Sequence, residues 1–372
     1  MIKIGITGQN GFIGQHLYNT LGLFKDEYER VEFRRDFFKD EIKLKEFVAK
    51  CDVIVHLAAM NRHPDPSTIY HNNINLVKKL IDALSATNSK AHVLFSSSSQ
   101  EEGDNLYGKS KKDGRELLFD WAQKAEANFT AMIIPNVFGP FGAPNYNSFI
   151  ATFCHKIVNA EQPQINNNSS IKLIYVGNLV SEIIEIIKNV PKTNLITIPH
   201  HDEYKVSEIL NLLQGYKSQY MDLGIVPLLR TKFEINLFNT FRSYIDLDKY
   251  YPIKLTSHAD DRGAFVEIIR LNTGGQISFS TTFAGVTRGN HFHTRKIERF
   301  AVIKGNALIQ LRKIGSNTTI NFHLSGDEPA YVDMPIWYTH NIKNVGREDL
   351  YTIFWINEFF NPEDPDTYFE TV

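Results

Sequence analysis

Over roughly the first 240 residues, short apolar runs alternate with longer stretches of helical periodicity. Ile2–Ile6, Val31–Phe33, Val53–Leu57, Val93–Phe95 and Ala131–Ile134 read as buried strands. Gly11–Leu23, Asn72–Ser85 and Lys109–Ala127 read as the helices between them. Strands that alternate with helices predict a doubly wound parallel sheet, helices on both faces. From about Tyr251 the pattern changes to short runs split by Gly, Asn and Asp: Phe265–Ile269, Gln276–Thr281, Ala301–Ile303, Ala307–Leu311, Thr319–Leu324 and Tyr351–Ile356. Many short strands without a long helical period predict an all-β sandwich or barrel. The change falls between Asn239 and Tyr251 and gives two expected modules, residues 1–243 and 250–372. The joining stretch has no Gly/Ser-rich or Pro-rich run, so a packed connection is expected.

Composition narrows the class. The 372 residues suit two or three domains at roughly 100–200 residues each. Hydrophobic residues at 42% and charged residues at 22% exclude a disordered, collagen-like or coiled-coil chain. A formal charge of −2 gives no footprint for nucleic acid or an anionic membrane. The two cysteines, Cys51 and Cys154, exclude a disulfide scaffold and read as core residues in a reducing compartment. No run reaches the roughly 18 apolar residues of a membrane span. Met1–Gly8 lacks the basic region and cleavage site of a signal peptide, so a cytoplasmic protein is expected.

The first strand runs into Gly8-Gln9-Asn10-Gly11-Phe12-Ile13-Gly14. Such a turn passes tightly from strand to helix and lets a pyrophosphate approach the helix N-terminus, where free N–H groups favour an anion. The second strand ends near Arg34 and Arg35. An acid there would select NAD, whereas basic residues suit a 2′-phosphate, so NADPH is the expected cofactor. Tyr107 and Lys111 form a Tyr-x-x-x-Lys pair at the head of a helix. Residues four apart share a helix face, and a cation beside the phenol would lower its pKa. Upstream, Ser96–Ser99 follow a strand, where a serine can hydrogen-bond a substrate carbonyl.

These pieces, with His56-Leu57-Ala58-Ala59, Tyr107-Gly108-x-Ser110-Lys111 and Pro135-Asn136-Val137-Phe138-Gly139-Pro140, resemble the extended, nucleotide-sugar-modifying branch of the short-chain dehydrogenase/reductase superfamily. The resemblance implies Tyr107 as general acid, Lys111 bonding the nicotinamide ribose, and a serine polarising the carbonyl. It implies that Leu57, Ala58 and Ala59 line the cofactor. Only nine positions separate Ser98 from Tyr107, fewer than in most extended members. That spacing leaves Ser97 and Ser98 both available, with Ser98 preferred. Tyr175-Val176-Gly177-Asn178 also replaces the frequent Val-Asp-Asp segment.

The second module carries His291, His293 and Glu298, with His340 further on. Residues i and i+2 of a strand share a face, so both histidines of His-x-His can aim inward. Glu298 and His340 would complete a three-histidine, one-carboxylate set, which suits Zn, Ni, Mn or Fe(II), zinc first. The spacing Gly285-x5-His291-x-His293-x4-Glu298-x6-Gly305, then Pro335-x4-His340-x3-Asn344, resembles the cupin family. Trp337 stands where cupins often have glycine, and either narrows the pocket or alters the turn. Asp260-Asp261-Arg262-Gly263 reads as a β-turn, or as a site where Arg262 grips a pyrophosphate or carboxylate.

The pairing of the two modules resembles the CapF-type family of bifunctional capsular polysaccharide enzymes. Pro144-Asn145-Tyr146-Asn147-Ser148, Gly289-Asn290-His291, Tyr338–Ile342 and Pro365–Phe369 carry this closer match. It implies that the cupin module epimerises C3 of a UDP-4-keto-6-deoxy-N-acetylhexosamine. The first module would then reduce the C4 ketone with NADPH to UDP-N-acetyl-6-deoxy-L-talosamine, toward UDP-N-acetyl-L-fucosamine. A C3 proton is acidic only while C4 is a ketone, so epimerisation has to come first. A homodimer is expected from the tendency of cupins to pair. Rival readings are a reductase with a purely structural cupin, an NADP-sensing binding protein and a metal-dependent oxygenase.

Overall fold

A computed structural model describes residues 1–146 and 148–372, so Asn147 of the Pro144–Ser148 match lies outside the described residues. The chain forms two compact units, Met1–Thr152 with Ile165–Val206 and Phe153–Gln164 with Ser207–Val372.

In the first unit, β1 (Ile2–Thr7), α1 (Phe12–Leu21), β2 (Tyr28–Val31), α2 (Glu41–Ala49), β3 (Val53–His56), α3 (Pro66–Ala86), β4 (His92–Ser98), α4 (Leu106–Ala125) and β5 (Phe129–Ile134) follow in turn. After β6 (Asn136–Phe138), α5 (Phe149–Val158, in the second unit from Phe153 on), β7 (Ser170–Tyr175) and α6 (Val176–Lys188), β8 (Leu195–Thr197) completes a sheet ordered β2-β1-β3-β4-β5-β8, and β9 (Asp202–Lys205) pairs antiparallel with β7. The pairings of the β2-to-β8 sheet are parallel throughout. β3 is buried at every position and β4 at all but its last, because both faces of the sheet are covered. Ile4, Ile6 and Val55 pack with Leu17 of α1 and Ile183 of α6. Ile54 and Val93 pack on the other side with Leu80 of α3 and Leu118 of α4.

Two local expectations shift. The second strand was expected at Val31–Phe33 and forms at Tyr28–Val31, on the sheet edge. Phe33 lies past it and packs edge-on against Phe37, Phe38 and Phe47. The serine run is not a loop at its start, since β4 continues through Ser98 in register with Ile134.

The second unit carries α7 (Val206–Tyr216, from Ser207 onward), β10 (Ile225–Val226), α8 (Lys232–Arg242) and α9 (Leu247–Tyr250), then short strands. These are β11 (Ile253–Lys254), β12 (Ser257–Asp260), β13 (Gly263–Val266), β14 (Arg270–Leu271), β15 (Gln276–Thr282), β16 (Thr287–Phe292), β17 (Glu298–Lys304), β18 (Asn306–Lys313), β19 (Thr319–Ser325), β20 (Ala330–Met334), β21 (Tyr338–Asn344), β22 (Leu350–Ile356) and β23 (Tyr368–Phe369). Two antiparallel five-stranded sheets, β11-β20-β17-β22-β15 and β19-β18-β21-β16-β23, enclose one core of Val302, Val332, Ile309, Phe322 and Ile342. The stretch Asn239–Tyr251 is mostly helical here. Asn239 donates to the Arg295 carbonyl at 2.9 Å and Arg242 to the Met334 carbonyl at 3.1 Å. On the adjoining strands β17 and β20, Arg299 and Asp333 form a buried two-pronged pair at 2.7 and 3.0 Å, and Tyr220 donates to the same carboxylate at 2.6 Å. Cys51 and Cys154 are both buried and free, and Cys154 falls in the second unit. Among the described residues, no helix is long and apolar enough to cross a membrane.

Candidate functional site

The glycine turn is shaped by close approach. Gly8 has φ +78°, and a Cβ there would stand 2.8 Å from the Ala58 backbone nitrogen. A Cβ on Gly14 would lie 2.2 Å from the Gly8 carbonyl oxygen, which already accepts from Gly11 N at 2.9 Å. Larger residues at Gly8 or Gly14 would push the turn apart. Gly11 caps α1, and among the described residues no side chain occupies that cap. The N–H groups of Phe12, Ile13 and Gly14 therefore stand where an anion is favoured. Gln9 accepts from Phe33 N at 3.2 Å and ties the turn to the segment bearing Arg34 and Arg35. Both arginines are exposed, and Arg34 pairs with Glu32 at 2.9 Å. Asn10 lies in the turn, and Leu57, Ala58 and Ala59 leave β3 alongside it. These residues fit a dinucleotide pyrophosphate.

Tyr107 and Lys111 lie on the first turns of α4, capped by Asn105, whose side chain accepts from Gly108 N at 2.7 Å. Lys111 is buried, and its ammonium donates to the Ser96 carbonyl at 2.8 Å and lies 5.8 Å from the Tyr107 ring centre. Burial draws Lys111 down to about 8, while the Glu101 charge pulls it back. Burial pushes the Tyr107 phenol up to about 12, with Tyr146 adding to the rise. The expected lowering of Tyr107 by Lys111 is thus absent, because desolvation dominates and the lysine is engaged by Ser96. A phenol held protonated can donate a proton but is a poor base. The serines are not equivalent. Ser96 donates to the His56 carbonyl at 3.2 Å, and Ser97 donates to Glu101. Among the described residues Ser98 only accepts, from Gln100 N at 3.2 Å, which leaves its O–H to donate. It also shares the strand face of Ser96, toward Lys111.

His291 on β16, Glu298 on β17 and His340 on β21 converge with His293, just past β16. One ligand atom from each lies within 4.8 Å of the others. His291 and His340 sit opposite each other across the β16–β21 ladder. His293 Nδ1 donates to the Asp366 carbonyl, and His340 Nδ1 donates to the Tyr338 carbonyl at 3.2 Å. Both rings therefore turn Nε2 inward, to 3.0 and 3.2 Å from Glu298 Oε2. These three buried atoms have no hydrogen-bond partner among the described residues. Inward lone pairs facing a carboxylate repel unless a cation stands among them. Burial works to raise Glu298, and with no metal present His293 and His340, when protonated, more than reverse it and hold the carboxyl well below its usual range. Burial draws His291 down to about 4, keeping its ring neutral. The donor set fits a divalent metal.

Sequence reasoning missed several supports. Buried Asn73 accepts from Met60 N at 2.7 Å and donates to the Met60 carbonyl and Ser110, fixing the segment beyond Ala59. The signal was an asparagine at a core position of an amphipathic helix. Asp366 gathers the N–H groups of Thr294, Arg295 and Lys296, each at 3.0 Å, so the chain around His293 is tied to a segment far along the sequence. Arg262 pairs with Asp260 at 2.6 Å across the β12–β13 turn, the hairpin form of that motif. Trp337 keeps the left-handed backbone that glycine would favour, at φ +62°, and stacks on Phe292. Phe292 and His291 are neighbours on β16 and point to opposite faces, so the indole stacks on the side away from His291.

Residues 4–198 match the NAD dependent epimerase/dehydratase family, and residues 258–368 match the polysaccharide biosynthesis C-terminal domain. The UDP-2-acetamido-2,6-beta-L-arabino-hexul-4-ose reductase of Pseudomonas aeruginosa is 33% identical over 371 residues, covering 99% of this chain and 98% of that protein. The crystal structure of the capsular polysaccharide assembling protein CapF from Staphylococcus aureus is 36% identical, covers all of both chains and aligns with a TM-score of 0.63. CapF bound to the inhibitor 3-isopropenyl-tropolone aligns at 0.58 with 34% identity. By the residues 4–198 and by similarity along its full length, the chain belongs to the NAD dependent epimerase/dehydratase family, and within it to the CapF-type enzymes.

Proposed function

We propose that the chain is an NADPH-dependent nucleotide-sugar 4-ketoreductase (residues 1–243) joined to a cupin C3-epimerase (250–372). The substrate is a UDP-4-keto-6-deoxy-N-acetylhexosamine and the product UDP-N-acetyl-6-deoxy-L-talosamine, on the way to UDP-N-acetyl-L-fucosamine in capsule synthesis. A cytoplasmic homodimer belongs to the same proposal. The observation that carries it is the buried Lys111 ammonium 5.8 Å from the ring of half-buried Tyr107, with the Ser98 O–H left to donate, in a full-length relative of a hexul-4-ose reductase.

NADPH supplies the hydride that reaches C4. The chain does the rest. The Gly8–Gly14 turn binds the pyrophosphate, and Arg34 and Arg35 face the 2′-phosphate. Ser98 donates a hydrogen bond to the C4 oxygen. Tyr107 gives that oxygen its proton, so ketone, hydride and proton balance to an alcohol. Lys111 stabilises the phenolate left behind. A divalent metal held by His291, His293, Glu298 and His340 would supply Lewis acidity to a sugar oxygen.

The test mixes the protein with NADPH and the 4-ketosugar and follows nicotinamide absorbance. Oxidation that needs the ketosugar and disappears in Tyr107→Phe is expected. No oxidation despite bound NADPH and a loaded metal would overturn the substrate assignment.

A further inference from the structure

The turn between β4 and α4 is held by a device the reductase reading does not use. The short 3-10 turn Ser99–Glu102 follows Ser98 directly. Glu101 from this turn meets Arg115, one helical turn beyond Lys111, through Arg Nε at 3.2 Å to both carboxylate oxygens and Nη2 at 3.0 Å to one. The Glu101 side chain is only 8% exposed. Ser97 donates to the same carboxylate. A third restraint is steric: a Cβ on Gly108 would stand 1.9 Å from the Gln100 carbonyl oxygen. The turn thus lies against the start of α4, and Gln100 N in turn donates to Ser98 Oγ. Surface ion pairs contribute little, but this one is largely buried, two-pronged and shared with a serine, which gives it geometric force.

We propose that the Glu101–Arg115 pair is a positioning device of the reductase site, which fixes the Ser98 hydroxyl against Tyr107 and Lys111. It explains how nine positions can span serine to tyrosine: a single 3-10 turn, clamped to α4, replaces a longer loop. The inference rests on the reading of Ser98 and Tyr107 given under Proposed function.

The test is a double-mutant cycle on the full-length enzyme, reading kcat, KM and NADPH affinity. Arg115→Lys keeps both charges, and so the field at Lys111, but loses the two-pronged geometry. Glu101→Gln is the second variant and keeps an acceptor for Ser97. Each should lower kcat by about ten- to a hundred-fold, the size expected of a misplaced reacting group, with NADPH affinity unchanged. In a Ser98→Ala background, each should add less than about two-fold. An equal loss in both backgrounds, an unchanged kcat, or a loss confined to NADPH binding or folding overturns the positioning role. If Ser98→Ala alone leaves kcat unaltered, it is the assignment of Ser98 that fails, and the clamp falls with it.

Discussion

At the glycine turn the unspent polar groups are backbone N–H groups at the start of α1. At the histidine cluster they are side-chain atoms, His293 Nε2, His340 Nε2 and Glu298 Oε2, buried and facing one another. The first region is shaped by what is missing, since Cβ atoms at Gly8 and Gly14 would collide with neighbouring backbone. The second is shaped by what converges from β16, β17 and β21, with Asp366 and Tyr338 turning the rings. A helix end open to an anion tolerates water when its ligand leaves. A buried carboxylate between two imidazoles does not, so its stability is tied to a cation or to protonation.

The largest break in this comparison is expected from Tyr107→Phe. It removes the proposed proton donor and leaves the glycine turn untouched. The reductase rate should fall by about 10²–10⁴-fold, with NADPH still bound, as read by cofactor fluorescence. The metal content should be that of the parent protein. A variant that keeps a tenth or more of its rate would remove Tyr107 from the proton-donor role.

Asp366→Ala sharpens the contrast from the other side. It deletes the carboxylate that holds the N–H groups of residues 294–296 and frees the chain around His293. Supports of this kind are worth about 10–100-fold in metal affinity, measured by competition with a chelator. NADPH binding should not move. Unchanged zinc affinity would show that His293 is oriented without this tie.

These two supports also mark where the sequence was legible. Gly8–Gly14, Tyr107 with Lys111, and His291, His293 and Glu298 stand at short spacings that one turn, one helix face or two successive strands generate, while His340 joins from a later strand. Asp366 acts more than 70 positions from Thr294, and Asn73 acts across 37 positions on Ser110. No periodicity encodes such ties. The slip of β2 has a similar cause: Phe33 is apolar for an aromatic cluster with Phe37, Phe38 and Phe47, not for the sheet. The helical stretch after Ser207 carries the same alternation as the first unit, yet it is counted with the second, where Tyr220 and Arg242 reach Asp333 and Met334.

A smaller effect is expected at the cofactor's ribose. Arg34 and Arg35 are exposed, and Arg34 already shares its charge with Glu32. Arg34→Ala should weaken NADPH by about ten-fold, the scale of one charge-assisted hydrogen bond, and leave NADH nearly as before. Equal losses for both cofactors would mean that Arg34 supports the turn rather than reading the 2′-phosphate.

The mildest test is pH. Tyr107 at about 12 stays protonated through the neutral range, so it does not set the alkaline limb. Lys111, drawn down to about 8 by burial, does. Its charged form stabilises the developing phenolate, and that form is lost as pH rises. Activity should therefore be full below pH 8 and halve near it. Lys111→Arg keeps the charge well above that pH and should carry the limb upward, at a lower plateau. The histidine cluster predicts no such limb, because its rings are already neutral ligands when a metal is bound. An alkaline limb that follows metal occupancy instead of residue 111 would reassign it to the second region.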